Sequence, residues 1–116
     1  MIQPLSIEMS HGKIKLDSTS LVYEDKPDAD YLVEVCKISS GPFAGDVVAY
    51  VRYITTPSEF MDDMRWQVIR HYKEGRGAVG SRTRHVGCYH SLESALHMVM
   101  AQAYEHVAHY SDITNR

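Results

Sequence analysis

Hydrophobic and polar positions alternate in short runs through the first half of the chain, which is typical of β-strands. Extended segments are predicted at residues 5–9, 13–17, 21–24, 31–38 and 46–54. The first two could pair as a hairpin across Ser10-His11-Gly12, because Gly12 tolerates the positive φ that a tight turn needs. In the fifth, Val47, Ala49, Val51 and Tyr53 fall on one apolar face. A loop rich in Pro and Asp is predicted at residues 25–30.

The next segment permits two interpretations. Thr56-Pro57-Ser58-Glu59 is a helix-start signal, with a capping Thr and a Pro at the first helical position. Apolar residues then recur at helical spacing as far as Tyr72, which would allow one long helix. Trp, Val, Ile and Tyr also alternate with polar residues over residues 65–73. Because these residue types favour strands, we predict a short helix over residues 57–63 and a strand over residues 65–73.

The last third of the chain predicts a loop, a strand and a long helix. Three glycines between residues 75 and 80 cannot hold a helix, so residues 73–82 are predicted as a loop. A strand is predicted at residues 83–89. Ser91 is the expected cap of a helix from Leu92 to about His109, because one apolar stripe runs along it. Residues 111–116 are polar and are predicted to fray.

These elements together predict an α+β fold in a single domain over residues 1–116. The expected architecture is an antiparallel sheet of about five or six strands with a long C-terminal helix packed on one face. The apolar faces predict a shared core, to which we assign Val47, Val51, Leu96, Val99 and Ala103. The length of 116 residues is enough to bury such a core without a metal or a disulfide.

Charge is distributed unevenly along the chain, whose net charge is −3. Residues 1–63 hold five Lys or Arg and eleven Asp or Glu, a balance of −6, whereas residues 64–116 hold seven and four, a balance of +3. The cationic side chains concentrate between residues 70 and 85, which we call the basic hairpin. Its candidate binding residues are Arg70, Lys73, Arg76, Arg82, Arg84 and His85. Such a cluster attracts anionic partners, although a solvated hairpin would have the same composition.

Composition adds three expectations. Eight Tyr against two Phe suit either a half-exposed sheet or a contact surface. Cys36 and Cys88 lie in strand-like runs, so we expect free, buried thiols. The apolar runs are too short to span a membrane, and residues 1–9 lack the pattern of a signal peptide. We therefore expect a cytoplasmic protein with no membrane partner.

The segment from Gly87 to Leu96 contains a G-x-Y-x-S-L-E-x-A-L pattern. It resembles the strand-to-helix turn of small phage- and plasmid-encoded proteins, in which the turn follows a basic, glycine-containing hairpin. The resemblance covers residues 66–100. It implies the same fold ending and an origin in a mobile element, and it implies a protein that acts by binding a host or phage component. It transfers no catalytic residues.

Metal and thiol chemistry can each be weighed against a plainer explanation. His106-x-x-His109 and Cys88-Tyr89-His90 lie about 25 Å apart along the predicted helix, so they cannot share one ion within a chain. The two helix histidines are interpreted as polar surface residues, and we predict neither metal nor cofactor. Cys88 and His90 would share one face of a continuous strand, but a nucleophile also needs an orienting third group.

An RNA-cleaving enzyme is the alternative that uses the same hairpin. His71 and His85 could transfer protons while Arg70, Arg82 and Arg84 hold the phosphate. Asp62-Asp63 is interpreted as a solvated pair. The run Gly75-Arg76-Gly77-Ala78-Val79-Gly80 lacks the following helix that a dinucleotide fingerprint needs.

The hypothesis that we favour is a non-enzymatic binding or regulatory protein that acts stoichiometrically. Its basic hairpin would contact an acidic protein surface or, as the alternative, nucleic acid. A homodimer is compatible with the same sequence.

Overall fold

The computed structural model describes residues 8–18, 29–55, 64–73 and 81–114, and for residues 81–85 it describes the backbone. The extended segment predicted at 21–24 and the helix predicted at 57–63 lie outside these residues, as does most of the glycine-rich loop. Within them are β1 (Glu8–His11), β2 (Ile14–Ser18), β3 (Tyr31–Ile38), β4 (Val47–Tyr53), β5 (Trp66–Lys73), β6 (Ser81–Tyr89) and α1 (Leu92–Thr114).

The strands form one curled sheet, and each strand pairs antiparallel with the next along the chain in the order β1-β2-β3-β4-β5-β6. Helix α1 packs against this sheet and contacts both edge strands, β1 and β6, as well as β2, β4 and β5. The predicted fold class, an α+β sheet covered by a C-terminal helix, is therefore confirmed.

Among the described residues, β1 ends two residues later than predicted, and β2 lies one residue later than predicted. The turn between them lies at Gly12-Lys13, with His11 opposite Ile14, and Gly12 has a φ of 61°. The predicted turn at Ser10-His11-Gly12 is therefore wrong by one position, because the positive-φ residue opens the turn instead of ending it. Ile14 and Leu16 lie on the buried side of β2, and both are almost completely shielded from solvent.

Two irregularities in the pairing of β3 with β4 correct the predicted core. The register shifts on each side of Cys36, so that Cys36 faces Ala49 and Lys37 faces Val47. Val48 is left without an opposite residue and is fully buried, whereas Val47 is half-buried. The prediction that Val47 belongs to the core is wrong, because a β-bulge breaks the two-residue alternation on which it rested.

The segment that permitted either a helix or a strand is the strand β5. It pairs along its length with β6 and over Trp66–Arg70 with β4. These pairings satisfy the backbone groups that a helix would have satisfied internally, so long-range pairing rather than local spacing decides the structure. The strand interpretation is confirmed, and the alternative of a helix through Tyr72 is wrong.

Helix α1 begins as predicted and ends later than predicted. Ser91 caps it, since the Ser94 amide donates to Ser91 Oγ at 3.1 Å. The helix continues beyond His109 to Thr114, and the prediction of a frayed terminus at residue 111 is wrong for the described residues. Ile113 is fully buried and anchors the last turn, and the Thr114 hydroxyl donates to the Tyr110 carbonyl at 2.7 Å.

The core lies between the sheet and one stripe of α1. Val51, Leu96, Val99 and Ala103 are all buried in one cluster, which confirms four of the five predicted core residues. Tyr110 and Ile113 extend the stripe to the far end of the helix. In the part of the chain that the structure describes, no helix is both long and apolar enough to cross a lipid bilayer.

Candidate functional site at the basic hairpin

Pairing of β5 with β6 brings most of the predicted binding residues into one two-stranded unit. Arg70 lies opposite Arg84, Ile69 opposite His85, and Tyr72 opposite Arg82. Lys73 closes β5 opposite Ser81. The candidate residue Arg76 lies outside the described residues, between the ends of the two strands. Five of the six predicted binding residues are thus assembled on adjacent strands.

The register places two residues of like charge, Arg70 and Arg84, directly opposite each other on β5 and β6. Residues directly opposite each other on antiparallel strands have Cβ atoms about 5 Å apart, and like charges there destabilise the sheet. The register therefore concentrates cationic residues on two adjacent strands, which is a pattern that attracts anions.

Arg70 is held by the helix instead of being free. Its guanidinium lies 3.1 Å from Glu105 Oε2 and its Cζ lies 5.7 Å from the centre of the Tyr72 ring. The Arg70 side chain is 16% exposed, whereas that of Glu105 is 62% exposed. Arg70 Nε is buried and has no hydrogen-bond partner among the described residues. Arg70 thus joins β5 to α1, and its contact with an outside partner would require rearrangement.

Lys73 is engaged in a second polar junction at the end of β5. Its Nζ lies 3.2 Å from Asp46 Oδ2 and 5.4 Å from the centre of the Phe43 ring. Its backbone N–H donates to the Tyr110 hydroxyl at 3.3 Å, and that hydroxyl donates to Asp46 Oδ2 at 3.5 Å. Burial raises the pKa of Tyr110 to about 12, so this hydroxyl stays protonated and can keep donating.

Aromatic rings complete the junction on the helix side. His109 packs edge-on against Tyr72 with ring centres 5.4 Å apart, and its Nε2–H donates to the Lys73 carbonyl. Phe43 meets Tyr110 in the same edge-on manner at 5.4 Å. The backbone of Lys73 is therefore fixed by two consecutive helix residues. We call the group Phe43, Asp46, Lys73, His109 and Tyr110 the hairpin anchor.

His106 was missed by sequence reasoning, which interpreted it as a surface residue. It is only 2% exposed, and its Nδ1 has no partner among the described residues. Burial is the main reason that the pKa of His106 is lowered to about 3, and the positive charge of Arg70 and the neighbouring His109 contribute to the shift. Its spacing was an available signal, because position 106 lies three residues after buried Ala103 and four before buried Tyr110.

The two cysteines are free thiols in different environments. Cys36 is buried in the core, and burial raises the pKa of its thiol to about 12, so little thiolate forms near neutral pH. Cys88 is half-buried on β6, with its Sγ 3.7 Å from Gln67 Nε2. His90 lies beyond the end of β6 and is exposed. Because the strand stops at Tyr89, the strand alternation that would put Cys88 and His90 on one face does not extend to His90.

The described residues do not form a metal site. Nowhere among them do three His, Cys, Asp or Glu side chains converge in a way that could hold a metal ion. Of the pair predicted on the helix, His106 is buried beside Arg70 and His109 is bonded to the Lys73 carbonyl. Asp62-Asp63 lies outside the described residues.

The strand-to-helix turn has a packing explanation. A Cβ atom added to Gly87 would lie 3.0 Å from the Tyr89 hydroxyl and 3.3 Å from its Cζ, which is closer than carbon atoms normally approach. The ring of Tyr89 thus covers the glycine two residues before it, and burial raises the pKa of this tyrosine. The G-x-Y part of the pattern is therefore explained by local packing within β6.

The chain was compared with protein-family models, with curated proteins and with solved structures, and none of these comparisons returned a significant match.

Proposed function

We propose that the protein binds an acidic partner protein stoichiometrically, with the basic hairpin as the contact region, and that it acts without catalysis. The observation that carries this proposal is the cross-strand placement of Arg70 and Arg84. Like charges at directly opposed positions disfavour folding. Arg70 is paired with Glu105 within the chain, so we assign the contact with an anionic partner to Arg84.

The positions along the hairpin divide into two groups with different tasks. Arg70 and Lys73 are bound to Glu105 and Asp46, and they hold β5 against α1 and the β3–β4 turn. The task of contacting a partner then falls to Arg82, Arg84 and Arg76. Arginine suits this task because its planar group makes forked hydrogen bonds to a carboxylate, which gives direction as well as attraction.

A rigid base makes such a hairpin an efficient binder. Buried aromatic contacts and backbone hydrogen bonds at the hairpin anchor fix the end of β5 before any partner arrives. Less conformational freedom is then lost when a complex forms, so more of the interaction energy appears as affinity. In this proposal β5 forms the structural half of the hairpin, and the arginines at positions 76, 82 and 84 form the half that contacts the partner.

The test is a capture experiment with charge reversal. The variant Arg76→Glu, Arg82→Glu, Arg84→Glu is compared with wild type for capture of partners from host lysate at low and high salt. The matched control is Lys13→Glu, Lys15→Glu, Lys37→Glu, which makes the same charge change at exposed positions in the β1–β2 turn and on strands β2 and β3. Circular dichroism establishes that both variants fold. We expect the hairpin variant alone to lose a salt-sensitive partner.

Three results would overturn the proposal. Capture of the same partner by the folded hairpin variant and by wild type would show that the cationic positions are only solvated. Loss of the partner on nuclease treatment would assign the hairpin to nucleic acid, and cleavage of RNA by catalytic amounts of the chain would support the enzymatic alternative.

A further inference from the structure

The last strand of the sheet leaves one long edge unpaired within the described residues. Strand β6 spans Ser81–Tyr89, nine residues, and pairs with β5 on one side. No described strand pairs with its other side. About half of the backbone N–H and C=O groups of an edge strand point away from the sheet, and such an edge is a template for another strand.

The pairing of β6 with β5 divides the strand at Val86. Val68 lies opposite Gly87 and Ile69 lies opposite His85, so Val86 has no residue opposite it. A bulge of this kind kinks a strand and interrupts regular pairing. The regular part of the edge is therefore residues 81–85, five residues, which is close to the usual length of a strand.

The charge of this stretch selects what can pair with it. Residues 81–85 contain Arg82, Arg84 and His85 and no acidic residue. A second copy of the chain added antiparallel in a register centred on residue 82, 83 or 84 would place Arg opposite Arg, which is unfavourable. Cationic edge residues are a common defence against such self-pairing. The same charges favour a strand that carries carboxylates at the facing positions.

From these observations we propose that the outer edge of β6 at residues 81–85 accepts an extended acidic segment of a partner protein as a seventh strand. Positions 82 and 84 are two apart, so the complementary segment carries carboxylates at alternate positions. The backbone of the added strand supplies hydrogen bonds, and its carboxylates supply the selection. This inference rests on the proposed function and specifies the chemistry of the partner.

The test uses a fluorescent octapeptide of alternating Glu and Thr and the full chain, with binding followed by anisotropy at low salt. Two further peptides are N-methylated, one at every Glu and the other at every Thr, so that the charge stays the same. In a strand paired along one edge, alternate amides face the protein and the others face solvent. We expect one methylated peptide to bind at least about tenfold more weakly and the other to bind like the parent.

The location is checked by amide hydrogen exchange of the chain with and without the parent peptide. Protection should appear at residues 81–85 and should be absent with the peptide whose binding is lost. Equal affinity of both methylated peptides, or protection elsewhere, would overturn strand addition while leaving charge-based binding intact. No binding of the parent peptide at about 1 mM would overturn the inference as well. The capture experiment with the hairpin variant decides the proposed function independently of these results.

Discussion

The two halves of β5 are consecutive in one strand, yet different forces hold them. Trp66 to Ile69 are all buried, and Trp66 packs against the rings of Tyr53 and Tyr31 at 4.8 and 6.4 Å. Arg70 to Lys73 are each half-buried and depend on partners such as Glu105 and Asp46. Burial of apolar surface stabilises the first half, whereas ion pairs and hydrogen bonds with α1 and the β3–β4 turn stabilise the second half.

This difference shows how a cationic segment can be attached to an apolar core. The apolar half continues the sheet and needs only neighbours of the right volume. The polar half cannot be buried without hydrogen-bonding partners, because unpaired polar groups away from water are costly. Helix α1 supplies several of these partners in its last turns, through Glu105, His109 and Tyr110. The part of α1 from Glu105 to Tyr110 therefore helps to hold the hairpin in place.

The largest effect is expected in the apolar half. Trp66→Ala should lower the free energy of unfolding by about 3–5 kcal/mol, as truncation of a large buried aromatic residue does. Denaturant-induced unfolding measures the change. Met64→Ala is the matched control, because Met64 is 36% exposed and truncation of an exposed side chain costs little. A loss below about 1 kcal/mol for Trp66→Ala would show that the aromatic cluster is not an essential part of the core.

A pH-dependent loss of stability, intermediate in size, is expected from His106, which is buried close to Arg70 in the polar half of β5. Its pKa is about 3 when folded, against an ordinary value of 6.5, so the unfolded chain takes up a proton that the folded chain refuses. The contribution of neutral His106 to the free energy of unfolding is therefore fully present above pH 6.5. It is lost as the pH drops from 6.5 toward 3. Between pH 7 and pH 5 the loss from this residue should be about 2 kcal/mol.

His106→Leu removes this titration. Unfolding curves at pH 7 and pH 5 should show that the variant loses about 2 kcal/mol less than wild type on acidification. His97→Leu, at an exposed position of the same helix, is the control and should leave the acid dependence of stability unchanged. Identical acid dependence of wild type and His106→Leu would show that His106 is not buried as a neutral side chain.

A smaller loss of stability is expected when the hairpin anchor is weakened. Tyr110→Phe removes the hydroxyl that accepts from the Lys73 amide and donates to Asp46, so it should lower the free energy of unfolding by about 1–2 kcal/mol. Tyr104→Phe on the same helix, where the side chain is 57% exposed, should cost less than about 0.5 kcal/mol. Equal stability of the two variants would mean that aromatic packing alone holds the anchor.

The sequence was sufficient to predict those elements in which local pattern and tertiary contacts agree. The strand β5 was predictable because β-branched and aromatic residues alternate there, and α1 was predictable because one stripe of apolar residues follows the period of a helix. Val47 was predicted to be buried, whereas the structure buries Val48 instead. The difference comes from a bulge, which depends on the register between two strands, and the sequence of neither strand shows this by itself.

The candidate site was less accessible to sequence reasoning. Clustering of Arg and Lys located the basic hairpin, but nothing local distinguishes a free cation from a paired one. Arg70 meets Glu105 across 35 positions of the chain, and Lys73 meets Asp46 across 27. His106 was misassigned because polar residues are ordinarily expected outside. Its position within the apolar stripe was the better guide than its chemical type.

The smallest effect is expected at the ion pair between Arg70 and Glu105. Glu105→Gln should lower the free energy of unfolding by about 0.3–1 kcal/mol, because solvent screens a pair of which one member is largely exposed.

The size of this effect depends on Arg84, which lies opposite Arg70. Without Glu105 nothing in this pair offsets the repulsion between the two arginines. Arg84→Gln should therefore stabilise the Glu105→Gln chain by a few tenths of a kcal/mol more than it stabilises wild type. A double-mutant cycle at low and high salt measures this coupling, which should shrink as salt is added. Coupling of zero at low salt would show that Arg84 is too far from Arg70 to repel it, and the electrostatic cost on which the proposed function rests would then be absent.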